Sequence, residues 1–88
     1  MARIAPAIHR DEYNSFAALL RDDPAMPRSY VAWVNECAEH RATEHSRGEA
    51  VLEVPVKFDE FKAYCLQAHL TPSIVALQAF AVKKAPSF

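Results

Sequence analysis

The stretch AVLEVPVKF, residues 50 to 58, constrains this chain more than any other. Apolar residues alternate at Leu52, Val54 and Val56, and valine dominates, which predicts a β-strand. A lone strand leaves unpaired N–H and C=O groups along both edges, so it needs a partner. The N-terminal ARIAPAI is the other extended candidate. Pro6 has no N–H to donate, which confines that segment to a sheet edge. The partner is therefore the N-terminal arm, the same strand in a second copy, or a cover of helices.

Four segments repeat apolar residues at i, i+3, i+4 and i+7, the stripe of an amphipathic helix. They are Tyr13, Phe16, Ala17, Leu20; Tyr30, Trp33, Val34, Cys37, Ala38; Phe61, Tyr64, Cys65, Ala68; and Ile74, Leu77, Ala81. Breakers separate them. RDDPAMPRS carries two prolines and two aspartates between the first and second helices. Ser29 is an expected N-cap for the second helix, and Gly48 an expected positive-φ exit from it. Asp59 is expected to cap the third. In LTPS, Thr71 is expected to cap the fourth, with Pro72 at its first position and Leu70 stapled onto Val75. Lys83 and Lys84 fall in its last turn, where cations complement the helix dipole.

The expected fold is mainly α: four amphipathic helices with one short strand between the second and third, in the order α-α-β-α-α. The 88 residues make one small domain, with a helical pair over residues 9–48 and a strand-helix-helix unit over 49–84. The expected core is Phe16, Leu20, Trp33, Val34, Leu52, Val54, Phe61, Cys65, Leu77 and Phe80. At 51% hydrophobic the chain is not disordered, and a net charge of −1 exerts no strong pull on nucleic acid or an anionic membrane. There is no secretory h-region and no apolar run near the ~20 residues of a membrane span, so a cytoplasmic location without membrane contact is expected.

No motif for catalysis stands out, and neither a cofactor nor a metal site is expected. His40 and His45 are five apart, which does not place them on one helix face. Glu36, His40 and Glu44 do share a face, as a solvated strip with i, i+4 pairing. Cys37 and Cys65 lie on apolar stripes and read as buried thiols. One glycine in the whole chain leaves no glycine-rich phosphate loop.

The fourth helix is different. IVALQAFAV, residues 74 to 82, has one polar residue, Gln78. A helix apolar on all sides needs cover on all sides. A second copy would supply it, and the expected interface is Ile74, Val75, Ala79 and Val82. The chain is thus expected to be a non-enzymatic interaction or self-assembling domain, a homodimer or a binder of another protein. Residues 50–84 also run strand, helix, tight turn, helix, an order that resembles the ribbon-helix-helix DNA-binding modules. That resemblance implies two chains pairing their strands into a ribbon for the major groove. Its outward residues would be Val51, Glu53, Pro55 and Lys57, whereas base readout favours Arg, Lys, Asn, Gln or Thr. Nucleic acid is therefore not the expected partner.

Overall fold

The computed structural model describes residues 2–85. The elements are β1 (Ala2–Ile8), α1 (Arg10–Leu19), α2 (Tyr30–Ser46), β2 (Ala50–Val56), α3 (Phe58–Ala68) and α4 (Ile74–Lys84). All four expected helices are present, and AVLEVPV is a strand between the second and third. The order is nevertheless β-α-α-β-α-α, because ARIAPAI is a full strand ahead of α1. It pairs with β2 in parallel, from Ala2 opposite Ala50 to Ile8 opposite Val56. The partner of AVLEVPV thus lies in the same chain, and α1 with α2 forms the crossover that a parallel pair requires.

Proline does not break this ladder, for a reason of phase. The side-chain amide of Gln78 on α4 donates to the carbonyl of Ile4. That carbonyl therefore points away from β2. Pro6 is two residues on and has the same phase, so its missing N–H falls on the open edge. In a parallel pair, residues directly opposite each other never both bond across the ladder. Val54, opposite Pro6, bonds inward, so Pro55 also turns its nitrogen outward.

Strand alternation gives the sheet two faces. Ile4, Pro6 and Ile8 stand opposite Leu52, Val54 and Val56 on one. Ile8, Val54 and Val56 are buried there, in a core with Phe16, Phe61, Leu77 and Phe80. Five aromatic rings run through that core in series. Phe58 meets Phe16 at 5.5 Å, Phe16 meets Phe61 at 5.9 Å, Phe61 meets Phe80 at 5.7 Å and Phe80 meets Tyr64 at 5.1 Å. Such offset or edge-on pairs add stabilisation beyond area burial. They tie α1, α3 and α4 together. The opposite face carries Arg3, Ala5 and Ala7 beside Val51, Glu53 and Pro55. There α2 is tied down by ion pairs of Arg41 with Glu53 and of Glu44 with Arg3.

The caps depart from local expectation at two of the three helices for which one was expected. Ser29 does cap α2, accepting from Ala32 N at 3.1 Å, and Gly48 has φ 79° at the α2 exit. The N-cap of α4, however, is Ser73, which accepts from Ala76 N at 3.1 Å, and the helix begins at Ile74 rather than Pro72. The Asp23 carboxylate accepts from Ile74 N at 2.7 Å and fixes that start. Val75, 80% exposed, is not held under Leu70 as a staple. Similarly α3 starts at Phe58, one residue before Asp59, whose carboxylate sits in the first turn instead of capping. The Phe58 N–H is taken by Glu12 of α1 at 3.1 Å.

One expected core residue is misplaced. Val34 is exposed, while Trp33 is buried and Tyr30 and Cys37 are half-buried. Two strands offer α2 a narrow surface. The line Tyr30–Trp33–Cys37 covers it, and Val34, one residue off that line, turns outward.

Candidate functional site

Two regions of the surface stand out, the outer side of α4 and a cleft beneath α2. On α4 the buried residues are Ala76, Leu77, Phe80 and Ala81. The helix packs against both strands and against α3. This leaves Val75, Ala79 and Val82 on the outside at i, i+4 and i+7, with Val75 80% and Val82 53% exposed. Of the four residues expected at an interface, these three form one exposed stripe. Ile74 does not join them. It is half-buried against the core and lines the cleft. Leu66 on α3 and Val31 on α2 are also exposed, at 70% and 67%. Scattered apolar residues on a surface are ordinary, whereas a stripe at helical spacing is not.

The cleft arises from residue size. Ala5 offers only a methyl group towards α2, and Trp33 does not fill the space that is left between helix and strand. The resulting space is about 280 Å³, with Ala5, Trp33, Cys37, Val51 and Ile74 as its apolar lining. Glu36, His40, Glu53 and Gln78 supply its polar groups. Two of these are engaged within the chain, Glu53 by Arg41 and the Gln78 side-chain N–H by the Ile4 carbonyl, while His40 lies 3.7 Å from Glu44. Glu36 has no hydrogen-bond or ion-pair partner among the described residues. Its charge is nevertheless felt nearby, raising the pKa of Tyr13 and of Cys37 after the larger effect of burial on each.

Neither cysteine is activated. Burial lifts the Cys37 thiol, Glu53 adds to that, and Arg41 offsets part of it. Burial alone lifts Cys65. Both are unpaired. At pH 8 both should alkylate with iodoacetamide more slowly than free cysteine, Cys65 the slower of the two, and a Cys37 that reacts faster than free cysteine would contradict the burial effect. Tyr13 shifts the same way. Below the unfolded-state values these three groups are protonated in both states, and their contribution to stability is intact. As pH rises past about 9 the unfolded chain loses the thiol protons first, so stability falls. Chemical denaturation at pH 7, 9 and 10.5 should show a plateau and then a decline.

Among the described residues no group of three His, Cys, Asp or Glu side chains is placed to hold a metal ion. No described helix is long and apolar enough to cross a membrane. Comparison with protein families, characterised proteins and solved structures finds no match to the chain.

Proposed function

We propose that this protein is a small self-assembling interaction domain, acting by binding rather than by catalysis, whose homodimer closes over the outer side of α4. The observation that carries this is the Val75–Ala79–Val82 stripe on a helix already buried on its opposite side. The stripe is also self-complementary. In an antiparallel twofold pairing, Val75 of one copy falls opposite Val82 of the other. Ala79 lies at the crossing, where a small side chain permits close approach.

Size-exclusion chromatography with light scattering tests this. At micromolar concentration the native chain should elute at twice its 9.9 kDa mass. The double variant Val75→Glu, Val82→Glu should elute as a monomer with unchanged helical circular dichroism, since both positions face solvent within one chain. A native monomer at 100 µM overturns the proposal, and so does a double variant that still dimerises.

A further inference from the structure

We infer that the cleft beneath α2 is a binding site for a compact primary amine, one aromatic or aliphatic ring wide, with Glu36 taking the ammonium group and Trp33 the apolar body. This inference does not rest on the dimer: Ile74 and Gln78 are the residues of α4 that line the cleft, whereas the stripe is Val75, Ala79 and Val82.

The chemistry of the lining selects the ligand. A cavity of about 280 Å³ lies at the lower end of the range for small-molecule sites and exceeds the ~150 Å³ that holds benzene, so one ring with a short chain fits. The walls are apolar and include an indole. Ammonium groups are recognised by an aromatic face together with a carboxylate, through cation–π attraction and a charge-assisted hydrogen bond. Trp33 and Glu36, three residues apart on α2, line the same cleft. Elimination points the same way. Of the two carboxylates in the lining, Glu53 is paired with Arg41, which leaves Glu36 as the one without a cation partner among the described residues. An anionic ligand would meet two carboxylates, Glu36 and Glu53. Arg41 is already held by Glu53. The Cys37 thiol is protonated at neutral pH and enters as part of the wall, so binding is non-covalent.

Trp33 is the only tryptophan of the chain and lines this cleft, so its emission reports on ligand entry there. Three probes with the same phenylethyl group separate the contributions: 2-phenylethylamine, the uncharged 2-phenylethanol and the anionic 3-phenylpropionate. With excitation at 295 nm the probes do not absorb. The amine should give a saturable change in Trp33 emission with a dissociation constant at or below about 1 mM, the alcohol should bind about tenfold more weakly and the acid weaker still. Glu36→Gln should reduce amine affinity about tenfold and leave alcohol binding and the melting temperature unchanged. The inference is overturned if no probe saturates by 10 mM. It is equally overturned if the amine has no advantage over the alcohol, or if Glu36→Gln binds the amine as tightly as the native chain.

Discussion

Phe61→Ala is expected to cost about 3–5 kcal/mol, enough to remove most of the stability of a domain this small. Phe61 is fully buried, and its ring lies between Phe16 of α1 and Phe80 of α4. Alanine there removes the transfer energy of a benzyl group, opens a cavity and interrupts the aromatic series at its centre. The surrounding elements cannot collapse into the gap without moving the sheet. Urea unfolding at 25 °C should show the midpoint collapse with an unchanged slope. A loss below 1 kcal/mol would mean that Phe61 is not central to the core. Leu66→Ala on the same helix is the control, since Leu66 is 70% exposed and its truncation should change stability by less than about 0.5 kcal/mol.

Tyr13 carries the second large effect. It is buried, meets Tyr30 edge-on at 5.7 Å and Trp33 at 6.2 Å, and donates its hydroxyl to the carbonyl of Pro27. It therefore holds α1, the 20–29 connection and α2 in one arrangement. Two substitutions separate ring from hydroxyl. Tyr13→Ala should cost about 3–5 kcal/mol, as other large aromatic truncations do. Tyr13→Phe should cost about 1–3 kcal/mol, because the Pro27 carbonyl is left without its donor. Equal stability of Tyr13→Phe and the native chain would show that water replaces the hydroxyl. Trp33 emission, 6.2 Å away, gives an independent view of whether α2 has shifted.

The helices were legible because their stripes are periodic and each lies against one core. Strand β2 was legible from its valines and its alternation. Its partner was less so, since Pro6 argues against pairing until the phase of the ladder is known. The sequence shows a proline at position 6, and only the Gln78–Ile4 bond shows which way its nitrogen faces. Helix starts were legible where the cap is local, as at Ser29, and illegible where it comes from far along the chain. Glu12 serves α3 across 46 residues and Asp23 serves α4 across 51. No window of local sequence holds both members of either pair. Asp23 shows the same tertiary origin in its titration, since the Ile74 N–H, followed by that of Ala25, holds its carboxyl below the usual range. The end of α3 is similar. His69 takes the left-handed conformation, φ 56°, where glycine would have announced the stop.

The cleft was hidden for another reason. Trp33 and Cys37, four apart, form the pattern of any core-facing helix. That they line an open space depends on the small side chains opposite, principally Ala5, and those belong to a strand about 30 residues away. The α4 stripe was visible from sequence as an excess of apolar residues. Ile74 left that set because its backbone N–H is anchored by Asp23 and its side chain turns inward toward Trp33 and the sheet.

The parallel pairing of β1 with β2 also sets an order of events during synthesis. Each residue of β1 pairs with one 48 positions later. At roughly 5–20 residues per second, the first strand leaves the ribosome several seconds before its partner exists. Through that interval it is an apolar segment with nothing to bond, and the cost of closing so long a loop delays pairing further. Pro6 is then useful in a way the finished fold conceals. A nascent strand with a proline at its midpoint is a poor template for neighbouring chains, yet its other edge is intact and waits for β2.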